Sequence, residues 1–259
     1  GQLYAAFKKL IQLDDDPRHL KNMAKCLAKC TFESHSTELE IDLIRLMETP
    51  GIDMLALVPQ CISQLKHKYQ IGSPKENFEL DIISTDHLLK LVLRTQQIND
   101  VFLEMWLIRL REELLGYYTE KKDINIHGEL VTAIAIQNQL NEYVQNISIK
   151  EQAIIDNLHQ TVSSDSDVQL FLIISLYQHP PEIDEATDYD EKHADWYKAW
   201  YQVFYLEPLQ EKNLAQAIIS VTPITDYVSQ KVRAMYEKNP YPRWCTIVLD
   251  NLLSFKQLM

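Results

Sequence analysis

Eight histidines, four cysteines and 37 carboxylates carry most of the reactive chemistry in this 259-residue chain. Their spacing decides whether they can use it. The histidines lie at 19, 35, 67, 87, 127, 159, 179 and 193, and none shares a local motif with a serine or cysteine; G-x-S-x-G and H-E-x-x-H are both absent. A triad gathered from distant positions stays open, because such triads are defined by geometry and not by spacing. Asp184, Glu185, Asp188, Asp190, Glu191 and Asp195 could gather a cation, but a calcium loop needs a turn glycine and none is there. A solvated acidic surface fits this run better. Cys26 and Cys30 are one helical turn apart, with Cys61 and Cys245 elsewhere, so no paired C-x-x-C zinc pattern exists. Reduced, half-buried thiols are expected, and with them a cytoplasmic setting.

Glycine sets the next bound. There are five, Gly1, Gly51, Gly72, Gly116 and Gly128, and no two form a G-x-G. A backbone that cradles a phosphate or dinucleotide uses such turns, so no cofactor site is expected within this chain. The net charge of −12, from 37 acids against 25 lysines and arginines, disfavours nucleic acid and anionic membrane as partners. The longest nearly apolar run, residues 170–177 (LFLIISLY), is far shorter than the roughly 20 residues that cross a bilayer. The opening GQLYAAFKKLIQL lacks the basic start and cleavage site of a signal peptide. Gly1, where an initiator methionine would stand, suggests a piece of a longer chain.

The elements that must position these residues read as helices throughout. Apolar residues recur at helical spacing over about 3–13, 17–32, 38–48, 53–69, 78–83, 86–94, 100–118, 127–145, 149–162, 167–177, 189–205, 211–220, 225–237 and 246–258. Asp16 before Pro17, Ser36 or Thr37, and the Ser84-Thr85-Asp86 run offer caps. Pro208 is expected to end or kink the helix before it. No stretch reads as a convincing strand. The fold expected is all-α, a stacked antiparallel helical array without a sheet. Gly72-Ser73-Pro74 is the best internal boundary, dividing helical hairpins at 1–72 from a main helical domain at 73–238, with a linker and terminal helix at 239–259.

Two constellations stand out on these helices. Trp196, Trp200 and Phe204 recur every four residues beside Tyr197, Tyr201 and Tyr205. Aromatic stripes at helical spacing usually belong to a core. The alternative is a ligand face that stacks on a base, a methylated lysine or a partner helix. The second is residues 222–244, TPITDYVSQKVRAMYEKNPYPRW. Val228, Val232, Met235 and Tyr236 form one face of a helix, expected to point inward. Asn239-Pro240-Tyr241-Pro242 must then leave it, since each proline restricts itself and the residue before it. Arg243 and Trp244 follow as a donor fork and an aromatic anchor.

VSQKVRAMYEKNPYPRW resembles a signature of bacterial proteins that join tetratricopeptide repeats to a class I S-adenosylmethionine-dependent methyltransferase domain, where it reads VxxxVRxQYEENPYPRW. Met235 and Lys238 depart from that pattern. AIAIQNQLNEYVQNIS is similar to a stretch of the same family centred on NEYV, here Asn141, Glu142, Tyr143 and Val144. Looser likeness runs through residues 5–244, and AAFKKLIQLDDDP looks like the tail of one tetratricopeptide repeat. The resemblance implies a non-catalytic helical domain that positions substrate or docks a following methyltransferase domain. S-adenosylmethionine would then belong to the parent protein and a protein or peptide substrate would be possible. It assigns docking to Tyr236, Asn239, Tyr241, Arg243 and Trp244. Asn141, Glu142 and Tyr143 become a second interface or a supporting polar cluster. The other reading is a stand-alone helical interaction scaffold, such as a bacterial host-directed protein.

Overall fold

The computed structural model describes residues 2–13, 16–163, 167–181, 195–218 and 225–238. All regular structure among them is helical, with no strand. The order is α1 (Gln2–Leu13), α2 (Pro17–Leu27), α3 (Thr37–Glu48), α4 (Val58–Tyr69), α5 (Leu80–Ser84), α6 (His87–Thr95), α7 (Val101–Lys121), α8 (Gly128–Leu140), α9 (Ile149–Gln160), α10 (Val168–Ile174), α11 (Asp195–Tyr201), α12 (Glu207–Ala217) and α13 (Tyr227–Lys238). Short 3-10 turns at Leu55–Leu57 and Asn125–His127 lead into α4 and α8. The expected helix at 246–258 lies outside the described residues. No described helix is long and apolar enough to cross a membrane.

Polar caps start most of these helices. Asp16 accepts the Arg18 backbone N–H at 2.9 Å, Asp86 that of Leu89 at 2.8 Å, and Asp100 that of Leu103 at 2.9 Å. At α9, Ser148 and Glu151 form a reciprocal capping box. α4 stops where Gln70 and Gly72 take positive φ; a Cβ on Gly72 would lie 2.9 Å from the Phe102 ring.

Helix α8 is the centre. Every residue from Leu130 to Asn138 is buried, so over that span the helix has no solvent face, with Glu129 in the first turn exposed. It packs against α6, α7, α10 and α11, and α6 in turn packs on α3 and α4. The core therefore runs across the turn at position 72. Tyr69 stacks on Trp106 with ring centroids 5.2 Å apart and donates its hydroxyl to Asp86 at 2.6 Å. Lys66 reaches Asp100 at 2.7 Å.

Two expected boundaries are corrected. The helix predicted over 127–145 ends at Leu140, because Glu142 and Tyr143 adopt left-handed backbone, φ 53° and 54°, and turn the chain away. Pro208 does not end the aromatic helix. A π-turn at Gln202–Leu206 lets the Glu207 N–H reach the Gln202 carbonyl, five residues back. That extra residue relieves the conflict between the proline ring and the helix before it, and helical structure continues from Asp195 to Ala217.

A recurring device anchors the links. A helix-borne amide side chain bonds the backbone of a loop distant in sequence. Gln64 accepts the Ser36 N–H at 2.9 Å and donates to the Ser34 carbonyl at 3.1 Å. Gln137 accepts the Ile98 N–H at 3.1 Å and donates to the Gln96 carbonyl at 3.0 Å. Asn138 donates to the Leu176 carbonyl at 2.7 Å, and Gln169 accepts the Ile124 N–H at 2.6 Å. Removing the Gln137 amide strands two backbone groups, the Ile98 N–H and the Gln96 carbonyl. Gln137→Leu is therefore expected to lower stability by about 2–4 kcal/mol, at roughly 1–3 kcal/mol per unsatisfied group. Urea denaturation followed by far-UV circular dichroism reads this directly, and an unchanged midpoint would contradict the clamp.

Candidate functional site

The aromatic helix resolves into core. Trp200 and Phe204 are fully buried, with ring centroids 6.1 Å apart, and the Trp200 indole N–H donates to the Ser175 hydroxyl at 2.8 Å. Tyr197 is buried between Trp196 and Trp200, and Tyr205 donates to the Pro181 carbonyl at 2.8 Å. This corrects the ligand-face alternative for Trp200 and Phe204: neither ring offers an open surface, because both faces are packed. Trp196, of that stripe, lines a cavity.

That cavity holds about 450 Å³ and is lined by Ser84, Thr85, Lys90, Asn125, Ile126, Glu129, Asp195 and Trp196. It lies where α5, α6, α8 and α11 meet. Glycine at 128 makes its wall possible, since a Cβ there would sit 2.5–2.7 Å from three atoms of the Trp196 indole. The ring lies directly on the helix backbone, 6% exposed, with its Nε1 buried and lacking a hydrogen-bond partner. Lys90 pairs with Glu129 across the rim. Behind the wall, His127 is 1% exposed. Its Nδ1 meets the Ser84 hydroxyl at 2.6 Å, its Nε2 has no bond closer than the Asp81 carboxylate at 3.8 Å, and the Tyr117 ring meets it edge-on at 4.6 Å. Burial holds the imidazole below its ordinary pKa, and Asp81 offsets part of that. Sequence reasoning placed none of Ser84, His127 or Gly128 at a site. The one available signal was a glycine opening an otherwise apolar helix.

A second polar centre is buried, and its charged groups are paired within the chain. Arg111 on α7 is 2% exposed and donates to the Glu151 carboxylate at 3.0 and 3.2 Å and to the Asn146 carbonyl at 2.7 Å. Its guanidinium lies 4.5 Å from the Tyr177 ring, and the Tyr177 hydroxyl donates to Glu151 at 2.9 Å. Burial alone would raise the Glu151 carboxyl, but the Ser148 N–H, the Tyr177 hydroxyl and Arg111 outweigh it and hold it low. The left-handed turn at Glu142 and Tyr143 delivers this segment to Arg111. Asn141 caps α8 and is buried, Glu142 is exposed and Tyr143 is half-buried.

The docking set divides. Asn239, Tyr241, Arg243 and Trp244 lie outside the described residues. Tyr236 is described, on α13, and it is exposed together with Val228, Val232 and Met235. The inward orientation expected for this face is thus corrected: the stripe faces solvent. Helix α12 likewise buries none of its side chains, and Leu209 and Leu214 are exposed on it.

Among the described residues no group of three or more histidines, cysteines and acids could hold a metal ion. Cys26, Cys30 and Cys61 are free, and burial pushes the Cys61 thiol up to about 12. Comparison with known proteins finds no matching family model, no matching curated protein and no matching solved structure.

A neutral, buried His127 makes stability pH-dependent with a definite sign. The unfolded imidazole takes up a proton near about pH 6.5 while the folded one resists it, so stability is complete above that pH and falls as pH drops through the folded value. Urea midpoints measured between about pH 7 and pH 5.5 should fall more steeply for the wild type than for His127→Asn. Parallel curves would show that His127 contributes nothing.

Proposed function

We propose that this chain is a non-catalytic helical domain of a class I S-adenosylmethionine-dependent methyltransferase, positioning substrate or docking the catalytic domain. The observation that carries the reading is the solvent-facing stripe of Val228, Val232, Met235 and Tyr236 on α13. A 12-residue helix with no buried face is marginal by itself in water. Covering four such side chains contributes about 1.5–3 kcal/mol each when burial is complete. The stripe precedes in the chain Asn239-Pro240-Tyr241-Pro242-Arg243-Trp244, the segment of strongest resemblance, and that resemblance assigns docking to Asn239, Tyr241, Arg243 and Trp244 as well. The net charge of −12 and the free thiols support a cytoplasmic role without nucleic acid.

A second reading, a stand-alone interaction scaffold, draws on another exposed apolar group, Val101, Phe102 and Met105 at the start of α7. The two readings differ in what the gene encodes. Under the first, the reading frame past Met259 carries a glycine-rich E/D-x-G-x-G within about a hundred codons. A stop codon directly after Met259 overturns the methyltransferase reading and leaves the scaffold. Calorimetric titration of this chain with S-adenosylmethionine should give no binding heat; stoichiometric binding would end the non-catalytic claim.

A further inference from the structure

Helix α7 buries one side in the core and leaves the other in solvent along its length. At its start Val101, Phe102 and Met105 are exposed by 51–61%. Met105 lies at i+4 from Val101 and i+3 from Phe102, so the three side chains adjoin. Phe102 is fixed in place. Its ring lies over Gly72, and the Lys66 ammonium sits 5.0 Å from the ring centroid. An apolar group held on such a support loses little freedom when it is covered. About two turns beyond Met105 the same side becomes acidic. Glu112 and Glu113 are exposed, and Glu104 is half-buried on one border. Among the described residues none of these three carboxylates has an ion-pair or hydrogen-bond partner. The cations beside them are already engaged, Lys66 by Asp100 at 2.7 Å and Arg109 by Glu76 and the Phe78 ring. Gly116 follows Glu112 by four residues and shares its face. It is exposed, and a Cβ there would meet nothing within 4 Å. Glycine weakens a helix interior relative to alanine, and nothing in the chain's own packing calls for it here.

We propose that this side of α7 docks a basic amphipathic helix of another protein, whose apolar side chains cover Val101, Phe102 and Met105 and whose lysines or arginines meet Glu104, Glu112 and Glu113. From Val101 to Gly116 the face runs about 22 Å, roughly four turns, which suits a helix laid along it. The gap at Gly116 lets the partner's backbone approach closely. Unpaired carboxylates select a cationic partner, and they repel an anionic membrane. The proposal names the partner class for the exposed group on which the scaffold reading draws. It uses α7 and not α13, so its failure leaves the docking role of α13 untouched.

The probe is a synthetic peptide of about 16 residues, long enough to span the face, with leucines on one helical side, lysines on its borders and alanines elsewhere. One control has the same residues in an order that destroys the helical spacing. The other carries glutamates in place of the lysines. In proton–nitrogen correlation spectra of the labelled chain, the lysine peptide should shift backbone signals of α7 saturably, with both controls at least about tenfold weaker. Changing Glu112→Lys together with Glu113→Lys, at exposed positions, should reverse the charge preference, weakening the lysine peptide about tenfold and admitting the glutamate one. Gly116→Leu should keep or raise the thermal midpoint while weakening the lysine peptide several-fold, a combination that damage to the fold would not give. The proposal is overturned if the lysine peptide does not bind up to about 1 mM, or if its shifts fall away from α7. It is equally overturned if the disordered-spacing control binds as well, or if the charge reversal or Gly116→Leu leaves the affinity unchanged.

Discussion

A helix buried on every side from Leu130 to Asn138 is the constraint on which the rest depends. Helix α8 cannot be amphipathic in the usual sense, because over that span it has no water-facing stripe to fill with charge. Its polar side chains must therefore be small, or must find partners in the interior. Thr132, Gln137 and Asn138 are those side chains, and the two amides are spent on the backbone of the links after α6 and α10. The core and the loop anchors are thus one structure. Gln60 and Gln64 on α4 do the same for the link between α2 and α3, where Gln60 donates to the Ala28 carbonyl at 3.0 Å. In a fold with no described strands, link backbones have no ladder to join, and amide clamps take over that role.

The all-α class, most helix positions and the caps at Asp16, Ser36 and Asp86 were legible in the sequence because each depends on residues within one or two turns. The failures share a cause. The end of α8 at Leu140 rests on left-handed backbone at Glu142 and Tyr143, residues with no intrinsic preference for it. The segment they redirect is held by Arg111, thirty or more positions earlier in the chain. The passage through Pro208 depends on a π-turn whose only local trace is the proline itself. The face of α13 was misplaced because an apolar stripe at helical spacing announces a covered surface without saying what covers it.

The candidate site was illegible for a related reason. Trp196 belongs to an aromatic stripe whose other members are core, and periodicity cannot single out one position from the rest. What separates it is Gly128, more than sixty positions upstream, together with the cavity that forms beside the ring. The two residues carry no shared motif. Only the packing of α11 on α8 makes them neighbours.

Polar completeness then distinguishes structural chemistry from recognition. The Arg111 centre holds a buried cation, yet its carboxylate, hydroxyl and carbonyl partners are all within the chain. Breaking it would strand a charge in a low-dielectric interior. The wall near α8 is the reverse. Its Trp196 indole N–H and His127 Nε2 are buried without hydrogen-bond partners, and of the two residues the cavity lining includes Trp196. An incomplete polar wall is tolerable next to space that a ligand or water can enter, and costly anywhere else.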